Sequence, residues 1–345
     1  MGVVYRAIDQ QHGAEVAIKL LHRRHASNPL ATQRLGAEGR AGSCVHHPNV
    51  VAVLDTGTAA DGTPFIVMEL VRGQSLDQLI QTAGQLPLHR VAAIGGQILA
   101  GLQALHSAGF VHGDVKSGNV LIDSTGGDDA IKLIDLGLAR SPDEVDPTLG
   151  RVASGTPEYM APEVIRGEGA IPVSDLYAAG VVCYQLLTGT TPFEGGTSRE
   201  ILRRQIDDVV VPPSLRASDR NIPIALDHVV MRALKKQPSE RYATAAAFAR
   251  ALAAATPIIE PPVLPGKVRS AFSTSAPTKE WAPRATSGAR PAASAAPSVL
   301  DARHRRAAEL LARFTAKTTE PALASARPRI RSGALARITG PRYRT

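Results

Sequence analysis

A chain of 345 residues, 44% hydrophobic and with a formal net charge of +8, is long enough for one large or two small domains with a sizeable core. Its two cysteines, Cys44 and Cys183, stand far apart in no metal-like spacing, which argues against a disulfide framework and fits a reducing, cytoplasmic compartment. No apolar run reaches the roughly 18 residues of a membrane span, no signal peptide is expected, and the longest run, Leu176 to Leu187, contains Tyr177, Tyr184 and Gln185 and reads as a buried core helix.

Residues 2–20 predict a β-hairpin, with Val4 to Asp9 and Glu15 to Leu20 flanking a Gln10 to Gly13 turn. Lys19 falls inside the second apolar strand, where an unpaired charge is costly, so it requires an anionic partner. Residues 30–44 read as a helix carrying Glu38, ended by His47-Pro48-Asn49. A strand begins at Val50 to Leu54, and a second hairpin turns at Asp61-Gly62-Thr63 and returns over Phe65 to Val71. That makes five strands and one helix by residue 71, a small and mostly antiparallel lobe.

Beyond Gly73 the pattern turns helical. Ser75 is placed to cap a helix starting at Leu76, and Val91, Ile94, Ile98, Leu102 and Leu105 space a long amphipathic helix over 88–107. Strands at Val120 to Ile122 and Ile131 to Ile134 join through a Gly126-Gly127-Asp128 turn. Residues 138–155 are polar, punctuated by Gly and Pro, and read as a loop. Helical stretches follow at 174–188, 198–207, 222–236 and 243–254. The expected fold class is therefore α+β, with a β-rich lobe over 1–71 and a larger helical lobe over 72–254.

Residues 255–345 form a tail rich in Pro, Ala, Ser and Arg. From residue 256 it holds 16 Lys and Arg against 5 Asp and Glu, whereas the first 255 residues hold 23 against 26. So few large apolar residues cannot offset chain entropy, and the tail is expected to be disordered. One short amphipathic helix is expected at 299–314, where Leu300, Ala307, Leu311 and Phe314 share a face. A basic tail suits contact with nucleic acid or anionic lipid, but this one lacks interleaved aromatics and has one dense cluster, Arg303 to Arg306. It reads as a linker or regulatory tail.

The chemistry concentrates between the long helix and the two strands, in His112-Gly113-Asp114-Val115-Lys116-Ser117-Gly118-Asn119, with Asp135 following 21 positions after Asp114. The hairpin brings Asp114, Lys116, Asn119 and Asp135 to one edge. Two Asp, one Asn and one Lys suit a magnesium nucleotide: hard oxygens take the metal, and the Lys offsets charge on a transferring phosphoryl group. For an isolated D-x-K-x-x-N, a hairpin with solvated charges is the competing reading.

Taken together and in order, Val16-Ala-Ile-Lys19, Glu38, this loop, Asp135-Leu136-Gly137, Gly155-Thr-Pro-Glu-Tyr-Met-Ala-Pro-Glu163 and Ser174-Asp-Leu-Tyr-Ala-Ala-Gly180 resemble the eukaryotic-type (Hanks-type) serine/threonine protein kinases of bacteria over about residues 1–253. The resemblance implies a bilobal protein kinase-like fold. It implies transfer of the ATP γ-phosphate to Ser or Thr hydroxyls of protein substrates in signal transduction, and autophosphorylation between two copies of the chain. It also implies roles. Lys19 holds the α- and β-phosphates and Glu38 pairs with it. Gly2 is the last glycine of the phosphate loop. Met68 is the gatekeeper, Glu69 and Val71 offer backbone groups to adenine, and Val4, Ala17 and Leu121 sandwich the ring. Asp114 is the catalytic base, Lys116 neutralises the γ-phosphate, and Asn119 and Asp135 hold Mg2+. Gly155-Thr156-Pro-Glu positions the acceptor hydroxyl, Glu163 pairs with Arg241, and Asp175 holds the catalytic-loop backbone.

Several positions depart from the family pattern. Of a G-x-G-x-x-G-x-V loop only Gly2 and Val4 are present, which fits a start codon placed too far downstream; a true absence of the preceding strand would weaken ATP binding and expose a sheet edge. Gly113 stands where most members carry an Arg that pairs with a loop phosphate, so dependence on phosphorylation at Thr148 or Ser154 is expected to be weak. Leu136 replaces Phe, an apolar swap, and Ser117, where Pro is common, carries no weight in this reading. His47 and His112 read as structural, with His112 bonding backbone near Asp135. Two alternatives remain. Small-molecule phosphotransferases share His-Gly-Asp but lack the Gly155 to Glu163 segment. A kinase-folded binding module (a pseudokinase) fits the short loop but not the retention of Lys19, Glu38, Asp114, Asn119 and Asp135.

Overall fold

The first strand, β1 (Gly2–Asp9), pairs antiparallel with β2 (Glu15–Leu21) from Gly2 opposite Leu21 to Ile8 opposite Glu15. A computed structural model describes residues 2–22, 28–59, 61–84, 86–124, 126–136 and 156–257, together with the backbone of 314–316. Helix α1 (Pro29–Cys44) follows, turning Leu35, Ala37, Glu38 and Ala41 inward. Strands β3 (Val53–Thr58) and β4 (Pro64–Glu69) form the second hairpin, and β4 lies against β2.

The described residues up to 71 thus hold four strands, not the five expected. The strand expected from Val50 starts only at Val53. Val50 and Val51 turn instead to the other lobe, where Val51 N donates to Leu133 O at 2.9 Å and Leu133 N donates to Asn49 O at 2.9 Å. A pattern of alternating apolar residues does not say which partner will take its backbone groups.

The helical lobe opens with β5 (Gln74–Ser75) and α2 (Leu76–Ala83), where Ser75 and Gln78 make the reciprocal bonds of a capping box. Helix α3 (Leu88–Ser107) has the expected bounds and buries Val91, Ile94, Ile98, Leu102 and Leu105. Strands β6 (Val120–Asp123) and β7 (Ala130–Leu133) pair antiparallel, with β5 on the far side of β6. After the short α4 (Pro162–Ile165) comes α5 (Pro172–Thr188), buried on every side from Ser174 to Leu187 as befits a helix apolar all round. Helices α6 (Ser198–Asp207), α7 (Pro213–Arg216), α8 (Ile224–Ala233) and α9 (Ala245–Ala255) surround it. Pro223 precedes α8 and Thr244 caps α9, so both helices begin two residues later than expected.

One strand comes from the tail: β8 (Phe314–Ala316) adds antiparallel to the outer edge of β1, Ala7 opposite Ala316. Of the helix expected at 299–314 only Phe314 is described, and it lies in this strand. Among the described residues no helix is long and apolar enough to cross a membrane.

Candidate active site

The loop between α3 and β6 is held from below by α5. Asp175 Oδ1 accepts from Gly113 N at 2.9 Å, and its Oδ2 accepts from His112 N at 2.8 Å and lies 2.8 Å from His106 Nε2. Gly113 takes φ 76, a left-handed conformation that glycine adopts without the clash a Cβ brings. His112 differs from expectation. It is fully buried, but its Nδ1 accepts from Asp114 N at 3.3 Å and its Nε2 has no partner among the described residues, so it bonds none of the described backbone near Asp135. His47 is structural as expected: its Nδ1 accepts from Asn49 N at 3.1 Å.

Asp114 Oδ2 accepts from Lys116 Nζ at 2.7 Å and from Asn119 Nδ2 at 3.0 Å. Oδ1 accepts nothing among the described residues, so one carboxylate oxygen stays open. Asn119 spends its amide nitrogen twice on Asp114, the second bond reaching Asp114 O at 2.9 Å, and its amide oxygen has no partner among the described residues.

Across from this loop, Lys19 finds the anionic partner its strand position required, and it finds two. Its Nζ donates to Glu38 at 2.8 and 2.7 Å and also to Asp135 Oδ1. Lys19 and Glu38 are only 7% and 4% exposed, so screening by water is weak. Burial by itself would lower the Lys19 pKa, but the charges of Glu38 and Asp135 outweigh it and hold the ammonium above its ordinary value. Burial also works to raise Asp135, and here Lys19 prevails and the pKa falls. Glu38 is pushed up, first by burial and then by the Asp135 charge, against the pull of Lys19. One cation thus faces two carboxylates, and Glu38 is the weaker acid. Asp135 also sits at φ 63, a left-handed conformation costly for a residue with a side chain.

Ala17 and Met68 are buried in one apolar cluster with Val51, and Val4, Val71, Leu70 and Ile134 pack on it. Leu121 is half-buried on β6 opposite Lys132 and lies outside that cluster. Gly2 begins β1 opposite Leu21. Glu69 spends its backbone N–H on Ala52 O, so only its carbonyl is left to offer; its side chain accepts from Ala52 N and Lys132 Nζ, both at 2.7 Å. Leu70 and Ile134 were missed in the sequence, although Ile134 directly precedes Asp135.

Beyond the loop, residues 156–160 face the catalytic loop across a cavity lined by Gly113, Asp114, Thr156, Tyr159 and Met160. Glu163 and Arg241 form a bidentate pair at 2.7 and 2.6 Å, both side chains buried. Leu136 is fully buried in the main core, which suits its replacement of an aromatic residue. Gly137, Thr148, Ser154, Gly155 and the Arg303 to Arg306 cluster lie outside the described residues.

Residues 1–252 match the family described as Protein kinase domain. The chain belongs to the protein kinase family. Among its kinase relatives, the serine/threonine-protein kinase pkn3 of Myxococcus xanthus is 38% identical over 253 residues, 72% of this chain and 46% of that protein. The serine/threonine-protein kinase PknL of Mycobacterium tuberculosis is 39% identical over 246 residues, 71% of this chain and 60% of that protein. The chain therefore spans about half the length of these curated relatives. The solved kinase domain of Mycobacterium tuberculosis PknI superposes with a TM-score of 0.57 at 26% identity, covering 74% of this chain and 90% of that one. The bilobal kinase fold read from the motifs is the fold of the family.

Proposed function

We propose that this kinase-family chain transfers the γ-phosphoryl group of ATP to Ser or Thr hydroxyls of protein substrates, using a domain that ends near residue 254. The observation that carries the reading is the state of Asp114. Lys116 and Asn119 both engage its Oδ2, which orients the carboxylate and leaves Oδ1 to accept the acceptor's proton. The acceptor oxygen then forms its bond to the γ-phosphorus as the bond to the β-phosphate oxygen breaks, ADP leaves, and the proton stays on Asp114. Lys116, beside Asp114, neutralises charge on the transferring group. Lys19, held by Glu38, takes the α- and β-phosphates, while Val4, Ala17, Met68, Leu121 and Val71 receive the adenine, with the Glu69 carbonyl as acceptor.

Among the described residues no group of three or more His, Cys, Asp or Glu could hold a metal. Mg2+ needs no such group, since it takes one or two protein oxygens and completes its shell with phosphates and water. The amide oxygen of Asn119 and the carboxylate of Asp135 fit that demand. When bound, Mg2+ would neutralise phosphate charge. Autophosphorylation between two copies and a cytoplasmic location belong to the same proposal.

The test is transfer from labelled ATP with Mg2+ to a generic basic protein, comparing the parent with Asp114→Ala. Transfer that drops at least about 100-fold in the variant supports the reading. ATP binding without any transfer by the parent would instead make the chain a binding module.

A further inference from the structure

Ser117 follows Lys116 directly and is buried. Its Oγ lies 2.9 Å from the Tyr159 hydroxyl and 3.3 Å from Asp77 Oδ1 on α2. Tyr159 in turn donates to Gln185 Oε1 on α5 at 2.7 Å. Each hydroxyl has one proton, which settles the direction. With Tyr159 donating to Gln185, its oxygen accepts from Ser117, and the longer contact to Asp77 is the weaker branch. Burial raises the Tyr159 pKa in spite of the Ser117 bond, so the phenol keeps its proton at neutral pH.

Segment 156–160 is therefore pinned at two points. Gln205 on α6 donates to the carbonyls of Pro157 and Glu158. Tyr159 ties the same segment to the residue beside Lys116, and among the described residues only this second link is a hydrogen bond to the catalytic loop. A proline at position 117 has no hydroxyl with which to make it.

We propose that Ser117 is a positioning residue for the acceptor protein: through Tyr159 it fixes segment 156–160 relative to Asp114 and Lys116, and it leaves nucleotide binding alone. The Lys19, Glu38 and Asp135 contacts share no atom with this network. The proposal rests on the kinase reading of the site.

Two measurements on the full chain test it. In steady-state kinetics, Ser117→Ala and Ser117→Pro lower kcat/KM for the acceptor protein roughly 2–10-fold, the range expected for one lost hydrogen bond. KM for ATP stays within about 2-fold of the parent, Ser117→Thr restores parent values, and Ser117→Ala combined with Tyr159→Phe is no worse than Tyr159→Phe alone. Unchanged acceptor kinetics, a parallel rise in KM for ATP, or additive losses in the double variant would each overturn it. Amide hydrogen exchange over 156–161 is read independently of activity, and Ser117→Ala speeds it ~2–10-fold. If the parent transfers no phosphate but exchange responds, the kinase reading fails and the tether stands. If exchange does not respond, the tether is refuted whatever the activity.

Discussion

Lys19 shows how one residue can bear on both stability and chemistry. Its side chain is buried between two carboxylates, and removing it strands both. Lys19→Met should abolish phosphoryl transfer and cost about 3–5 kcal/mol near neutral pH, the range for breaking a buried ion pair. The pH dependence follows from the directions of shift. The Asp135 pKa is lowered in the folded protein, so its contribution is present above the ordinary carboxylate value and is lost as pH falls through the folded one. Without Lys19, burial pushes both carboxyls up, and the variant loses stability as pH rises. The deficit against the parent should therefore widen from about pH 4 to pH 7 in denaturant titrations; a constant deficit would contradict the ion-pair account. Gly113 makes a different point at the same scale. Its left-handed φ of 76 suits glycine, so a departure from the family pattern relieves backbone strain where an arginine would carry it.

At the scale of elements, α5 organises the larger lobe. Its Asp175 fixes the catalytic loop, its Gln185 receives Tyr159, and its Ser174 donates to Glu163 at 2.6 Å. Glu163 on α4 joins this helix to the start of the α9 region through Arg241, which also donates to the carbonyls of Val173, Lys235 and Lys236. Close helix packing accompanies these links: a Cβ on Gly180 would stand 2.8 Å from Ala233 Cβ, so only glycine lets α5 approach α8 this closely. Burial would raise the Glu163 pKa, but its bonds to Arg241 and Ser174 lower it. Its contribution is thus full above the ordinary carboxylate pKa and lost as pH falls through the folded value. Glu163→Gln should cost about 3–5 kcal/mol at neutral pH because Arg241 stays buried without its anion. That cost should shrink toward acid pH, where the parent pair is itself protonated apart. Urea midpoints at two pH values decide it, and an equal loss at both would count against the pair.

For the whole molecule, directed contacts among the described residues join the two lobes beside the Lys19–Asp135 pair. Asn49 and Val51 bond to β7, Asn49 Nδ2 donates to Ile131 O at 2.9 Å, and Lys132 bonds to Glu69. These hold β7, and so Asp135, against the lobe that carries Lys19. Charge divides the chain differently: the part before residue 256 is slightly acidic and the remainder strongly basic. If the domain ends near residue 254 as proposed, limited trypsin digestion should cut first at Lys267 or Arg269, the first basic residues beyond it, and leave a fragment ending there. Mass spectrometry of the surviving fragment checks this, and early cuts within 72–254 would move the boundary.

By itself the sequence determined the candidate site and most of the elements. Val16-Ala-Ile-Lys19, the 112–119 loop and Asp135 are short runs in which a charge interrupts an apolar strand or turn, and such runs are legible because each violates local expectation unless it serves chemistry. Helix α3 was legible from end to end because its apolar spacing is a property of the helix alone. Tertiary structure alone decided that Lys19 meets Asp135 as well as Glu38, that Val50 and Val51 leave their sheet for β7, and that Ser117 reaches Tyr159 across 42 positions. These depend on how separate backbones dock, and a donor with several acceptors within reach does not record in its own neighbourhood which one it will find.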